Sequence, residues 1–248
     1  MYDLSNDYRF SKDRCWFKDI CEDYSQPGLC DCACPVYYQF YYLVNLANIP
    51  LDLQYVNNNQ LLVPGTKTGT NKDEKEHQFL REIQKDIYSW VKEGNNLYLF
   101  SEHCGNGKTT WATKLMLSYF YQIYENNGTQ CRGLYINTIE YFIAKKNSLS
   151  TKDSRLIDIE QLIPTVDLVI WDDIGNMQLT PYEYTLLYSY INQRINNGKA
   201  NIFTSNVIDG ELNQNIGERL SDRILSTSEI VEFINPSFRK PKRQGGRK

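Results

Sequence analysis

The chain has 248 residues, 41% of them hydrophobic and 23% charged, with a formal net charge of −3. These figures fit an ordinary soluble globular chain of one large domain, or one of about 170 residues with an appendage, and the charge does not advertise nucleic-acid binding. No run reaches the roughly 18 apolar residues of a membrane span, and the start lacks the basic-then-apolar pattern of a signal peptide, so the expected compartment is the cytoplasm, where thiols stay reduced.

Five of the seven cysteines fall early, at Cys15, Cys21, Cys30, Cys32 and Cys34. In a reducing compartment such clustering points to metal, zinc ahead of an iron–sulfur cluster, with Cys15, Cys21, Cys30 and Cys34 as the four ligands and Cys32 as the spare. The alternative is that several are small buried hydrophobes. An aromatic-rich helix is predicted over Tyr37–Leu46, its rings facing a core. Between Pro64 and Asp73, Gly, Thr, Asn and Lys dominate, a linker-like composition that divides a Cys-rich, partner-binding domain at 1–70 from a larger domain at 75–240. A basic tail, 240–248, follows; the last ten residues, from Arg239, carry six Lys or Arg and no acid.

In the larger domain the periodicity predicts a helix from Lys75 to about Lys92, stopped by Gly94, with Phe79, Ile83, Ile87, Trp90 and Val91 on one face. His77 sits among charges there and reads as a solvated side chain. A strand at 97–101 passes into Glu102-His-Cys-Gly-Asn-Gly-Lys-Thr109, then a helix from Lys108 to Glu125. A strand at 133–137, helices at 139–146 and 156–163, and a strand at 168–172 follow. Thr180 caps a helix that opens on Pro181 and closes at Gly198. A strand at 200–206, a helix at 216–225 and a fifth strand at 230–234 complete the pattern. Strands alternating with helices predict a parallel five-stranded sheet covered on both faces.

The glycine turn before Lys108 is a phosphate-binding loop. Cys104, Gly105, Asn106 and Gly107 can curl backbone N–H groups around an anion, the helix opening at Lys108, Thr109 and Thr110 points its positive end at the phosphates, and Lys108 adds a point charge. Thr109 can hold Mg²⁺. One departure stands out: Glu102 occupies the place of the loop's first glycine. Downstream, Asp167-Leu-Val-Ile-Trp-Asp-Asp-Ile-Gly175 is a buried-type strand ending in two acids; Asp172 can hold Mg²⁺ through water and Asp173 can orient the attacking water. Together these imply a site for ATP or GTP with Mg²⁺.

With these motifs in place, residues of about 75–240 resemble the DnaC/DnaI-type helicase loaders and the related IstB-type transposition ATPases of the AAA+ class. The features are Asp172-Asp173-Ile-Gly175, Thr204-Ser205-Asn206 at the next strand end, Gly217-Glu-Arg-Leu-Ser-Asp-Arg-Ile224, and Pro236-Ser-Phe-Arg239. The resemblance implies that Asn206 is a sensor holding water against the γ-phosphate. It also implies that Arg223, ahead of Arg219, is an arginine finger acting on a neighbouring copy, and that Arg239 is a second sensor. It implies ATP rather than GTP, slow hydrolysis because Asp173 stands where a glutamate is usual, and no room for a C-terminal helical lid. The implied partners are a replicative DNA helicase, gripped by an N-terminal domain that is zinc-bearing in some members, and single-stranded DNA, with Tyr182, Tyr184 and the basic tail as contacts. Duplex-DNA binding beside a transposase, and nucleotide binding without hydrolysis by a zinc-dependent adaptor, are the competing expectations.

Overall fold

The structure is a computed structural model that describes residues 15–18, 21–25, 34–55, 72–128, 130–148 and 154–237. The helices among these are α1 (Pro35–Leu46), α2 (Glu74–Lys85), α3 (Ile87–Lys92), α4 (Lys108–Asn127), α5 (Thr138–Asn147), α6 (Ser154–Leu162), α7 (Pro181–Asn196), α8 (Asp209–Ile216) and α9 (Glu218–Thr227). The strands are β1 (Asn96–Phe100), β2 (Gly133–Asn137), β3 (Leu168–Asp172), β4 (Ala200–Ser205) and β5 (Ser228–Glu232).

All five strands run parallel in the order β2-β3-β4-β1-β5. Parallel strands need both faces covered, and the alternation of side chains along each strand divides them between two cores. Leu97, Leu99, Tyr135, Ile170 and Ile202 face one core with Trp111, Leu115, Met116 and Phe120 of α4. Tyr98, Phe100, Leu134, Ile136, Val169, Trp171 and Phe203 face the other, with Phe142, Leu187, Ile191, Leu212 and Ile224. This is the expected α/β architecture of an AAA+ sheet sandwiched by helices.

One predicted helix is divided, and another starts later than expected behind a helix the sequence pattern did not show. The 75–92 helix breaks at Asp86, a residue that competes with the helix backbone for hydrogen bonds and here accepts from Ser89 Oγ at 2.7 Å. The helix expected over 216–225 begins only after Gly217, whose φ of 82° and ψ of 143° no helix accommodates, and the separate helix α8 before it was not expected. The helix opened by Pro181 is capped as expected: Thr180 Oγ1 accepts from the Glu183 N–H, and Glu183 returns a bond to the Thr180 N–H, a reciprocal capping box.

His77 is not solvated. It is 2% exposed and wedged between Trp111 and Phe233, with ring centroids 5.5 and 5.6 Å away. The apolar face of α2 runs through positions 77, 80 and 83. The described part of the N-terminal segment rests directly on this layer: Phe17, Phe40, Leu43, Val44 and Ile49 share one core with α4 and the sheet.

At the start of β3, the Asp167 carboxylate accepts from Tyr119 at 2.7 Å and pairs with Arg132, Lys92 and Lys199. Burial opposes its ionisation, but the Tyr119 hydroxyl and the cations outweigh that and hold its pKa below the ordinary carboxylate range. Beside it the fully buried Arg194 donates to Asn201 Oδ1 and to the carbonyls of Ile163, Val166, Asp167 and Ala200. These bonds fasten the amino ends of β3 and β4 and leave their carboxyl ends to carry the site.

Candidate nucleotide-binding site

β1 delivers the chain into the loop Ser101–Gly107, and α4 begins at Lys108. Gly105 and Gly107 take φ of 79° and 102°, the left-handed region that lets consecutive amides turn towards a common anion. The Asn106 side chain, 1% exposed, folds back onto Ser101 Oγ, and the His103 N–H donates to the same oxygen at 3.1 Å. Cys104 and Glu102 are exposed. Thr110 lies in the first turn of α4.

Lys108 is 6% exposed, and its ammonium donates to the carbonyl of His103 at 3.1 Å and to Asn206 Oδ1 at 2.6 Å. Asn206 directly follows β4, which lies between β1 and β3 in the sheet, so sheet order places it between the loop after β1 and Asp172 at the end of β3. Thr109 Oγ1 donates to Asp172 Oδ1 at 2.7 Å. The predicted phosphate-binding and acidic residues Lys108, Thr109, Asp172, Asp173 and Asn206 therefore converge at the carboxyl ends of three adjacent strands. A hydroxyl and a carboxylate oxygen side by side are a hard-oxygen donor set of the type that suits Mg²⁺, and Thr109 and Asp172 would hold it.

Three residues missed from sequence hold this pair of acids. Thr204 Oγ1 donates to Asp172 Oδ1 at 2.7 Å and accepts from the Asp173 N–H at 3.0 Å. Tyr135 OH donates to Asp172 Oδ2 at 2.6 Å, and Asn137 Nδ2 lies 3.5 Å from Asp172 Oδ2 and 3.4 Å from Asp173 Oδ2. Burial, then the adjacent Asp172 charge, raises the Tyr135 pKa, so its phenol stays a donor. The signal was in the sequence as period-two spacing: Tyr135 and Asn137 share a face of β2, and Asn137 pairs in register with Asp172.

Asp173 has φ of 57°, a conformation costing a non-glycine residue about 1–3 kcal/mol. Its carboxylate accepts from Asn176 at 3.1 Å as well as from Asn137. Gly175 follows at φ 81°, and a Cβ there would lie 2.4 Å from Leu212 Cδ1, so glycine alone lets α8 close over this turn.

Arg223 stands elsewhere. Its Nη2 donates to Asn196 Oδ1 at the end of α7, beside the start of β4, while the phosphate loop follows the end of the parallel strand β1. With the strands parallel, Arg223 and the loop lie towards opposite ends of the sheet, on the order of a strand length apart. Arg219 is exposed and lies over the Tyr188 ring at 5.7 Å. Tyr182 is 58% exposed, whereas Tyr184 is half-buried and stacked on Tyr188. Arg239, the tail, Cys30 and Cys32 lie outside the described residues.

The described residues also hold no group of three or more His, Cys, Asp or Glu that could bind a metal ion. Cys15 and Cys21 pack against the aromatic core, Cys15 and Cys34 both border the Tyr37 cluster, and the fourth expected ligand, Cys30, lies outside the described residues. No described helix is long and apolar enough to cross a membrane.

The model of the IstB-like ATP-binding protein family matches residues 70–245, more than half of the chain. The chain belongs to this family. No curated protein matches its sequence. Among solved structures it is similar to DnaI, with 18% identity, a TM-score of 0.55, and coverage of 77% of this chain and 95% of that one. The DnaC helicase loader is similar at 16% identity and a TM-score of 0.52, covering 70% and 98% of the respective chains. A replication initiator DnaA bound to AMPPCP and single-stranded DNA matches at 14% identity and a TM-score of 0.53; the matched region covers 72% of this chain and 51% of that one. At such identities the likeness shows a shared AAA+ fold, and family membership makes ATP the expected nucleotide of the loop.

Proposed function

We propose that the chain is an ATP-driven switch that loads a replicative helicase onto single-stranded DNA and works as an assembly of its own copies. The observation that carries this is the convergence of the phosphate loop with Asp172, Asp173 and Asn206, while Arg223 lies about a strand length from its own loop. Lys108 and the loop amides from Cys104 to Thr110 bind the phosphates, Thr109 and Asp172 hold Mg²⁺, and Asn206 and Asp173 flank the γ-phosphate position. Bound Mg²⁺ would neutralise charge developing on the phosphates. Arg223 completes the site of a neighbour, as an arginine finger does in trans, and Arg239 reports on the nucleotide from the segment after β5. Asp173 is held by Asn137 and Asn176 and is short for a base, which fits slow hydrolysis and a timed switch.

The shared fold with DnaC and DnaI supports the loader reading. The N-terminal segment is the helicase-binding part, and Tyr182 with the basic tail contacts DNA. A zinc site completed by Cys30 would serve that segment alone, and no step at the nucleotide depends on it. The family match itself favours a second reading, an IstB-like ATPase that coats duplex DNA beside a transposase.

Co-purification of the full chain with the host's replicative hexameric helicase, with and without Mg·ATP, separates the two. Nucleotide-dependent association that disappears in Lys108→Ala supports the loader. No association in either state, together with ATP-dependent binding to duplex DNA, replaces it with the second reading.

A further inference from the structure

Tyr135 is fastened at both of its ends. On the edge strand β2 its N–H donates to the Ala47 carbonyl at 2.7 Å, and its own carbonyl accepts from Asn48 Nδ2 at 3.4 Å. Its hydroxyl reaches Asp172 on the neighbouring strand. Further upstream, Gln54 Nε2 donates to the Ile49 carbonyl at 2.8 Å, and Trp16 Nε1 donates to the Gln54 carbonyl at 2.7 Å. Trp16 in turn stacks on Tyr55 with ring centroids 5.0 Å apart. Direct contacts thus lead from the residue beside Cys15 to the carboxylate assigned to Mg²⁺.

An edge strand offers unpaired backbone groups, and here the chain's own 47–48 turn takes some of them. Ala47 and Ile49 are buried in the core they share with Tyr135, and the two hydrogen bonds add to that contact beside a cleft of about 470 Å³ bordered by Asn45, Asn48, Gln54, Asn137 and Arg155. Hydrogen bonds of this kind contribute about 1 kcal/mol each, so with the packing they tie the position of the turn to that of β2. The Tyr135 ring is 5% exposed and locked into the core, so a movement at either end is passed to the other.

We propose that Tyr135 is a positioning residue for Asp172 and that, through it, the 45–55 segment and the nucleotide site each respond to the state of the other. The proposal rests on the reading of this site as a Mg·ATP site. Coupling of this kind is reciprocal: what binds the N-terminal segment alters metal affinity, and metal-bound nucleotide alters the segment.

Hydrogen exchange of the full chain, with and without Mg²⁺ and a non-hydrolysable ATP analogue, tests it alongside Mn²⁺ binding followed by electron paramagnetic resonance. In the wild type, slowed exchange is expected both in the loop 101–109 and in 45–55. Tyr135→Phe keeps the ring and both backbone bonds. It should retain loop protection, lose the response at 45–55, and bind Mn²⁺ with the analogue about tenfold more weakly, while metal-free nucleotide binding is unchanged. Asn48→Gly cuts the tether from the other end at a φ of 58° that glycine accepts, and should also lose the 45–55 response; it carries the test if Tyr135→Phe does not fold. A protected loop with an unresponsive 45–55 segment in the wild type, or an undiminished response in the variants, overturns the coupling alone. A wild-type loop that does not respond to nucleotide overturns the site beneath it.

Discussion

Thr204→Val changes one atom at the centre of the site while keeping a β-branched side chain that suits β4. Thr204 is fully buried, and its hydroxyl both donates to Asp172 Oδ1 at 2.7 Å and accepts from the Asp173 N–H at 3.0 Å. Losing a bond to a charged acceptor costs about 1.5–3 kcal/mol, and stranding the Asp173 amide adds about 1 kcal/mol more. The sum is about 2.5–4 kcal/mol. At about 2–4 °C per kcal/mol for a chain of this size, the melting midpoint should fall by roughly 5–16 °C. Asp172 would keep its contacts to Thr109 and Tyr135 but lose one that orients Oδ1, so the Mg²⁺ concentration for half-maximal ATP hydrolysis should rise about tenfold or more. Thermal melting and a Mg²⁺ titration of turnover measure the two effects. A variant that melts within about 1 °C of wild type with an unchanged Mg²⁺ profile would refute the assignment of Thr204 as the support of both acids.

Three further outcomes follow from the same geometry. Arg223→Ala should bind ATP as the wild type does yet hydrolyse it at least tenfold more slowly at concentrations where copies assemble; mixing it with Lys108→Ala should restore turnover, since each supplies what the other lacks, and no recovery on mixing argues against a shared site. Gly175→Ala combines a left-handed φ of 81° with a 2.4 Å approach to Leu212, so a loss of about 2–4 kcal/mol is expected in denaturant unfolding, and a neutral substitution would show that α8 yields freely. Burial lowers the pKa of His77, so below about 6.5 the unfolded chain holds a proton that the folded chain resists. The stability from neutral His77 is present in full above that pH and fades as pH falls towards the folded pKa; stability curves from pH 7.5 to 5 should therefore be flatter in His77→Phe, and parallel curves would count against it.

Much of the fold is legible in local sequence. The strands at 133–137 and 168–172 stand where apolar runs between polar breaks put them, because such runs must be buried on both faces of a parallel sheet. The phosphate loop is equally local: glycines set its backbone, and Lys108 and Thr109 stand on the first turn of the helix it opens. Breaks were harder. Asp86 interrupts a segment whose periodicity continues across it, and the short helix α8 before Gly217 went unread, because hydrophobic spacing does not register one residue of backbone geometry. His77 was misread because charged neighbours suggested a wet surface, although its position falls on the face of α2 that meets Trp111 and Phe233.

The sequence by itself determined a nucleotide loop, two acids after a buried strand, and an alternation that admits only a covered parallel sheet. Those features are encoded within a few adjacent residues, in backbone preference, charge and period. Tertiary structure decided which side chains hold the acids, that Arg223 lies a strand length from its own loop, and that the 47–48 turn grips the edge strand. The Tyr135–Asp172 and Thr204–Asp172 contacts join residues 37 and 32 positions apart, and strand register alone brings them within reach. Register is set by the whole sheet and its two cores, so no local segment contains it.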